Sequence, residues 1–111
     1  MQFLVIGRDG TDDKAMERRL AVREQHIAMG DKLLAAGNLW YGAAITNEQG
    51  QMAGSIYMVD FKNRDALDAW LAEEPYMVGK VWETVEIIEC NTRDPWQFNR
   101  PKEFFEERQT R

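Results

Sequence analysis

Cysteine and histidine are almost absent from this chain. Its 111 residues include one cysteine, Cys90, and one histidine, His26. A single cysteine cannot form an internal disulfide, which fits a reduced compartment. With one histidine and no second thiol, only scattered carboxylates remain as metal ligands, and no glycine-rich phosphate-binding loop is present. We therefore expect no metal and no other cofactor.

Positive charge and long apolar runs are also scarce. The net charge is −5, with 14 basic against 19 acidic residues and no basic run, which argues against a nucleic-acid surface. No apolar stretch approaches the roughly 20 residues that cross a bilayer, and no secretory signal is visible at the amino terminus. We expect a cytoplasmic protein of one domain, with neither nucleic-acid nor membrane partners.

Apolar periodicity predicts six elements in the order βαββαβ. They are a strand over residues 2–7, a helix from about Asp13 to Ala36, strands over Leu39–Thr46 and Met52–Phe61, a helix capped by Asn63, and a strand over Val81–Cys90. The Asp9–Asp13 segment is a predicted turn that supplies caps for the first helix. Gly37 stops that helix and Pro75 ends the second. This order is typical of an α+β ferredoxin-like fold, an antiparallel sheet with two helices on one face.

Two helices on one face leave the other face of the sheet bare. We expect Trp40, Ile56, Met58 and Val85, or their strand neighbours, to need burial there, and we therefore predict a homodimer. Residues 1–90 are the predicted domain, and residues 91–111 are a carboxyl-terminal extension with a turn of helix after Pro101. Four aromatic residues make this extension too apolar to remain disordered, so we expect it to dock: Trp96, Phe98, Phe104 and Phe105.

The first helix carries cations beside its apolar stripe, which we expect to face the core. The stripe consists of Met16, Leu20, Ile27 and Leu34. Arg23 lies within it, and Arg19 and His26 fall along its edge. Such cations are costly to desolvate unless an anion meets them, and a histidine there can change charge near neutral pH. The alternatives are a helix-edge histidine with a satisfied hydrogen bond and arginines that extend past apolar surface into water.

Glu74 is the candidate anion. It lies seven residues after Leu67, on the apolar face of the second helix, and at a carboxyl end where the helix dipole disfavours negative charge. It either meets His26 or the arginines across the two helices, or is a solvated glutamate before Pro75. A His–carboxylate pair is the minimum set for proton transfer, because the carboxylate fixes the tautomer and supports the imidazolium.

Other candidates carry less information. Gly42 and Gly54-Ser55 lie on predicted strands, where glycine often marks the close approach of a ligand or backbone. Ser55 can donate a hydrogen bond, although a serine on a strand often has no further role. The tryptophans are typical of core or interface, and Cys90 is expected to be an inert thiol at a strand end.

Several of these segments together resemble one known family. They are Arg19-Leu20-Ala21-Val22-Arg23-Glu24-Gln25-His26, Gly37, Gly42, Gly54-Ser55, Phe61, Ala69-Trp70 and Glu74-Pro75-Tyr76. The chain resembles the YCII-related (YciI-like) proteins of the dimeric α/β-barrel superfamily over roughly residues 2–90. The resemblance implies a ferredoxin-like subunit that dimerises through its sheet, with a pocket between sheet and helices. It also implies a His–acid active site, carried here by His26 and Glu74, where family members commonly have aspartate in place of Glu74.

The leading hypothesis is a small enzyme that performs proton transfer, by elimination or isomerisation, on a small organic substrate, aromatic or anionic. A related member of the family is a cofactor-free dehydrochlorinase of a hydroxylated aromatic. The catalytic residues are His26, as general base, and Glu74, which orients it. The substrate-binding residues are Arg19, Arg23, Ser55, Tyr76 and Gly42, with the arginines holding an anionic oxygen.

Two alternatives stand beside this hypothesis. The first is a non-catalytic dimeric protein, a binding or accessory module whose pocket senses a small anion or metabolite. The second is a haem- or quinone-processing barrel of the same superfamily, which one histidine permits but no residue requires. The geometry of His26 and Glu74 discriminates between catalysis and binding, because proton transfer needs the two side chains within hydrogen-bond reach in a cleft.

Overall fold

Four strands form one antiparallel sheet in the computed structural model, which describes residues 1–95 and 99–109. The elements are β1 (Gln2–Asp9), α1 (Ala15–Ala36), β2 (Leu39–Thr46), β3 (Met52–Asp60), α2 (Arg64–Glu73), α3 (Pro75–Val78), β4 (Trp82–Cys90) and α4 (Lys102–Gln109). The strand order is β2-β3-β1-β4. The predicted βαββαβ order and the ferredoxin-like α+β fold are confirmed.

The strand register assigns each side chain to one of two faces. Val5 of β1 lies opposite Tyr57 of β3 and Ile87 of β4, and these side chains face the helices. On the other face, which we name the open face, Leu4 lies opposite Met58. The following residues form the core: Phe3, Val5, Tyr57, Val59, Phe61, Leu67, Trp70, Leu71, Tyr76, Val81 and Trp82.

The open face carries an apolar cavity of about 430 Å³. Trp40, Ile56 and Met58 line it, as expected for a sheet face without helices. Val85, which we expected there, instead packs against the core under the helices. The reason is register, since Val85 lies opposite Gly7 on the helix-covered face of β1.

Two element boundaries differ from the prediction in a way that matters for the site. The strand β1 continues past Gly7 to Asp9, and α1 begins at Ala15 rather than at Asp13. We expected the Asp9–Asp13 segment to be a turn that caps the helix. Asp9 is instead a buried end of β1, opposite Trp82 of β4.

The buried face of α1 is not the one that its apolar stripe predicts. Leu20, Ile27 and Leu34 are exposed, to 58%, 43% and 58%. The residues that turn towards the sheet are Arg19, Val22, His26, Met29 and Leu33. The prediction was wrong because two carboxylates from outside α1 meet the polar members of this face: Asp9 meets Arg19, and Glu74 meets His26. Their desolvation is therefore compensated.

The helix terminations follow the sequence. Gly37 ends α1 in the left-handed conformation with φ 85°, and the Asn63 side chain accepts a hydrogen bond from the backbone N–H of Ala66 at the start of α2. Pro75 ends α2 and occupies the first turn of α3.

No helix among the described residues combines the length and apolar character that would let it cross a membrane.

The carboxyl-terminal extension starts along the sheet. The backbone N–H of Thr92 donates to the Gln2 side chain at 2.8 Å, and Pro95 lines the cavity on the open face. The helix α4 follows Pro101, as predicted. Phe104 is half-buried in it, beneath the Arg108 guanidinium. Trp96 and Phe98, which entered the docking prediction, lie outside the described residues.

Candidate active site

His26 projects from α1 between two partners from other elements. Its Nδ1 atom hydrogen-bonds Oε1 of Glu74, and its Nε2 atom lies 2.6 Å from the Tyr57 hydroxyl. The side chain is 14% exposed, so both bonds form largely out of water. The structure thus brings together the histidine and carboxylate that the sequence proposed as a pair.

Glu74 is held by the junction between α2 and α3. Its side chain is 1% exposed, and the same Oε1 atom accepts the backbone N–H of Tyr76 at 3.2 Å. We expected an unfavourable position at a helix carboxyl end. Glu74 is the C-cap of α2, as expected, and the break at Pro75 also makes it the N-cap of α3, where a free backbone N–H meets its carboxylate.

Tyr76 forms one wall around the imidazole. Its ring stacks on His26 with centroids 3.7 Å apart and an angle of 8° between the planes. Trp82 meets the same imidazole edge-on, at a centroid separation of 6.3 Å. Burial raises the pKa of the Tyr76 hydroxyl, an effect that the nearby Arg19 and Arg23 oppose. The histidine is therefore fixed by aromatic contacts as well as by its two hydrogen bonds.

Tyr57 is a site residue that the sequence analysis missed. It is a core residue of β3, and its ring packs edge-on against Trp70. Burial raises the pKa of its hydroxyl, the neighbouring Ser55 side chain opposes that rise, and the Glu74 carboxylate adds to it. The available signal was the two-residue period of a strand, because Ser55, already a candidate, shares a face with Tyr57.

Arg19 lies in the cleft wall, but its charge is already matched. The guanidinium is 3% exposed, and its NH1 atom donates to both carboxylate oxygens of Asp9, at 3.0 and 2.9 Å. A third, longer bond of 3.4 Å reaches the carbonyl of Gly54. Asp9, which the sequence analysis assigned to a turn, is therefore the second site residue that it missed. Burial raises the pKa of Asp9, and Arg19 opposes that rise.

Arg23 is placed differently from Arg19. It is exposed and borders the same cleft one turn along α1. Among the described residues, no carboxylate forms an ion pair with it. Of the two arginines proposed to hold an anion, Arg23 is the one whose charge is available to a ligand.

These residues enclose a cleft of about 220 Å³ between α1 and the sheet. Its lining is Arg19, Arg23, His26, Ile27, Gly42, Ala43, Ala44, Met52, Ser55, Tyr57 and Tyr76. Every proposed substrate-binding residue is in this lining, and Glu74 lies behind His26. A Cβ atom at Gly42 would stand 3.2 Å from the Tyr57 ring, so glycine there leaves room for that ring.

No group of three histidine, cysteine or acidic side chains suited to a metal occurs in the described part of the chain. Cys90 lies on the open face, with its Sγ atom 3.7 Å from Sδ of Met58, and does not line the cleft. The cleft and the residue behind His26 offer an imidazole, a carboxylate, two phenols, a serine hydroxyl and a free guanidinium.

Fold and cleft together define a ferredoxin-like α+β protein with a histidine–carboxylate contact between its first helix and the junction of α2 with α3. The YCII-related domain model matches residues 1–91. The chain belongs to the YCII-related family.

Relatives agree with this assignment. An uncharacterized protein of Haemophilus influenzae is 33% identical over 93 residues, which cover 78% of this chain and 93% of that protein. Protein YciI of Escherichia coli O6:H1 is 30% identical over 95 residues, with the same two coverages.

Two solved structures share the fold. The 5-chloro-2-hydroxyhydroquinone dehydrochlorinase of Burkholderia phenoliruptrix AC1100, in complex with 2,5-dihydroxybenzoquinone, superposes with a TM-score of 0.72 at 15% identity, covering 84% of this chain and 96% of that one. A dimeric ferredoxin-like protein of unknown function from Jannaschia sp. CCS1 has a TM-score of 0.50 at 11% identity, over 82% of this chain and 98% of that one. At these identities the likeness concerns the fold alone.

Proposed function

We propose that this protein is a cofactor-free enzyme that moves protons on a small hydroxylated aromatic or anionic substrate, in a lyase- or isomerase-like reaction. The observation that carries the proposal is the hydrogen bond between Nδ1 of His26 and the buried carboxylate of Glu74, beside a cleft. A histidine supported in this way can accept a proton at its other nitrogen.

Glu74 and His26 have distinct parts in this proposal. As an acceptor, the carboxylate selects the tautomer that carries hydrogen on Nδ1, which leaves Nε2 as the basic atom. When the imidazole takes up a proton, the same carboxylate balances the new positive charge. The Tyr76 backbone N–H holds that carboxylate oxygen in place, so little reorganisation accompanies the transfer.

Arg23 supplies the charge for the substrate. Removing a proton from carbon or oxygen leaves negative charge on the substrate, and a cation at the cleft wall stabilises it. The guanidinium of Arg19 is paired with Asp9, so we assign it to the shape and field of the cleft rather than to direct anion binding. No step of this chemistry requires a metal or an organic cofactor.

The Burkholderia phenoliruptrix dehydrochlorinase guides the choice of substrate class. That enzyme is a dehydrochlorinase of 5-chloro-2-hydroxyhydroquinone, and 2,5-dihydroxybenzoquinone is bound in its structure. Both are small hydroxylated rings, the class that the aromatic walls and free guanidinium of this cleft suit. We therefore propose these two compounds as the first to test.

We also propose that the protein is a cytoplasmic homodimer formed through the open face of its sheet. The cavity there is almost wholly apolar, and it includes Leu4, Ile56 and Met58. An exposed apolar surface of this kind is uncommon on a monomer. The ferredoxin-like protein from Jannaschia, which shares the fold, is dimeric, and this supports a dimer here. Gly42 and Ala43 line both this cavity and the cleft, so a partner subunit would lie next to the site.

One observation favours a second function, binding without catalysis. The Nε2 atom of His26 already has the Tyr57 hydroxyl at 2.6 Å, so a ligand does not find a free base in the described state. A ligand could rest against Arg23 and the aromatic walls while the network stays unchanged. Such a protein would bind a small anion with no turnover.

Turnover of a defined compound separates these functions. Purified protein is mixed with 5-chloro-2-hydroxyhydroquinone and chloride release is followed, and the melting midpoint is recorded with 2,5-dihydroxybenzoquinone. We expect turnover by the wild type, none by His26→Ala, and wild-type turnover by Gln25→Ala, the matched change at the neighbouring exposed position. A raised melting midpoint without chloride release in any variant would favour the binding module. If the protein shows neither chloride release nor a raised melting midpoint, the proposed substrate class is wrong.

A further inference from the structure

The Tyr57 hydroxyl stands in front of the basic atom of the site. It is the group within hydrogen-bond distance of Nε2, and Tyr57 itself lines the cleft. A substrate atom cannot reach Nε2 unless this hydroxyl leaves or takes part. Tyr57 is not free to leave, because its ring is wedged between strand β2 at Gly42 and the edge of Trp70.

Donor and acceptor rules assign the hydrogens along this network. The Glu74 carboxylate only accepts, so Nδ1 of His26 donates to it. A neutral imidazole with hydrogen on Nδ1 accepts at Nε2, so the Tyr57 hydroxyl donates to it. All the hydrogen bonds therefore point from the cleft towards the buried carboxylate. A chain of this direction can carry a proton inwards.

We infer that Tyr57 is the catalytic residue that exchanges a proton with the substrate, and that His26 and Glu74 receive the charge behind it. The inference rests on the proposed function and deepens it, because it names the atom that the substrate meets. The position of the phenol, between the cleft and Nε2, carries the inference.

The step balances without an outside reagent. A C–H or O–H bond of the substrate breaks, its proton bonds to the Tyr57 oxygen, and its electron pair stays on the substrate. At the same time the original Tyr57 proton moves to Nε2 of His26. The products are a substrate anion, a neutral phenol and an imidazolium facing the Glu74 carboxylate. Returning the proton to another atom of the substrate completes an isomerisation. Expelling chloride from the anion completes an elimination, after which the imidazolium passes its proton back through the phenol to water.

Burial explains why the two transfers are coupled. It raises the pKa of the Tyr57 hydroxyl, so a free phenolate in this position is unfavourable. The phenol oxygen gains the substrate proton as it loses its own, and no phenolate accumulates. The Ser55 side chain, which also lines the cleft, opposes this rise in the pKa of the hydroxyl.

The direction of the hydrogen bonds is tested first, by ¹⁵N NMR of the full chain. His26 is the only histidine, so its two ring nitrogens are the only imidazole signals. We expect one nitrogen bearing hydrogen and one accepting in the wild type. Tyr57→Phe should move the Nε2 signal towards that of an unbonded nitrogen and leave the Nδ1 signal in place. Tyr41→Phe, a matched change on the open face, should move neither. An Nε2 signal unaltered by Tyr57→Phe would overturn the inference.

Turnover provides the second arm. With 5-chloro-2-hydroxyhydroquinone we expect Tyr57→Phe to lower kcat by about 10²-fold or more, with KM changed far less, as loss of an acid–base group does. An unchanged melting midpoint shows that the variant folds. Wild-type turnover by Tyr57→Phe, while His26→Ala is inactive, would overturn this inference and leave the proposed function standing. If the wild type also fails to release chloride, the proposed substrate fails, and the NMR result alone decides on Tyr57.

Discussion

One oxygen of Glu74 serves His26 and the backbone at once. Oε1 accepts from Nδ1 of His26 and from the N–H of Tyr76. The carboxylate that supports the imidazole is therefore positioned by the turn that separates α2 from α3. Any change that moves this turn moves the acceptor of the candidate catalytic pair.

Replacing Glu74 by glutamine should weaken the site without unfolding the protein. The amide keeps an oxygen acceptor but cannot balance an imidazolium, and its NH₂ group is left buried without a designed partner. We expect kcat to fall by less than the roughly 10²–10⁴-fold that a general base contributes, because the base itself remains. Denaturant titration should show a loss of about 1–3 kcal/mol. Equal kcat in Glu74→Gln and wild type would show that the contact has no catalytic part.

Removing Arg19 should be costly at neutral pH. In Arg19→Met the Asp9 carboxylate stays buried and loses its partner, and such losses cost about 3–5 kcal/mol. Adding Asp9→Asn to this variant should restore much of the stability, since no charge remains to be compensated. Urea denaturation of the two variants tests this. If the double variant is no more stable than Arg19→Met, then Asp9 and Arg19 do not form a buried ion pair.

The free energy of unfolding should depend on pH in the acid range because of Asp9. Burial raises the pKa of Asp9 above its ordinary value of 3.8. The folded chain then holds this proton more tightly than the unfolded chain. The contribution to the free energy of unfolding is therefore complete below about pH 3.8 and is lost as pH rises through the raised value.

Comparison with a second variant isolates this contribution. The wild type should lose stability relative to Asp9→Asn as pH increases through that window, by denaturant titration at matched ionic strength. If the wild type instead gains stability relative to Asp9→Asn as pH rises, the pKa of Asp9 is not raised in the folded protein. Asp12 acts in the opposite direction, because its hydrogen bond to Arg18 lowers its pKa, so it must be kept in both proteins.

Arg23 should contribute charge rather than shape. Arg23→Gln is expected to weaken binding of 2,5-dihydroxybenzoquinone by roughly fivefold, the effect of about 1 kcal/mol that a solvent-exposed charge provides. Calorimetry at low and high salt should show the difference shrink as salt screens it. Lys32→Gln, an exposed cation elsewhere on α1, is the matched control. An equal loss in both variants would point to net charge instead of a local contact.

The open face should hold two copies together. Ile56→Asp places a charge in the apolar cavity of this face and should convert a homodimer into a monomer at micromolar concentration. Leu20→Asp, at an exposed position on the other side of the molecule, should not. Sedimentation velocity measures both. A stable monomer in the wild type would contradict the dimer outright.

The carboxyl-terminal extension should stabilise the folded protein, its dimer, or both. Deleting residues 95–111 removes Pro95 from the cavity on the open face together with the aromatic residues of the extension. We expect a lower melting midpoint, a weaker dimer, or both. Unchanged values of both quantities would show that the extension does not dock.

Local patterns were sufficient for the elements and insufficient for the orientation of α1. Period-two and period-3.6 apolar spacing locates the strands and helices within a few residues. The same spacing selects the wrong face of α1, since Leu20 and Leu34 look like core while Arg19 does not. Asp9, at the end of β1, pairs with the buried Arg19 and so favours the observed orientation. Nothing local in α1 indicates this partner.

The site shows the same division. His26 and Glu74 were identified because an isolated histidine and a carboxylate at the end of an apolar helix face are unusual. Tyr57 was not, because an aromatic residue inside a strand is normal core, and only the three-dimensional contact with Nε2 distinguishes it. Sequence patterns therefore miss a functional residue whose type and position are also typical of the core.

The contact between His26 and Glu74 also bears on the order of folding. The two residues are 48 positions apart, and Tyr57 is 31 positions from His26. No short segment of the chain therefore contains the site. Closing such loops costs entropy before any contact is gained. The two hydrogen bonds of the imidazole need α1, β3 and the junction of α2 with α3 in place together. An intact contact between His26 and Glu74 therefore reports that these three parts of the chain have assembled.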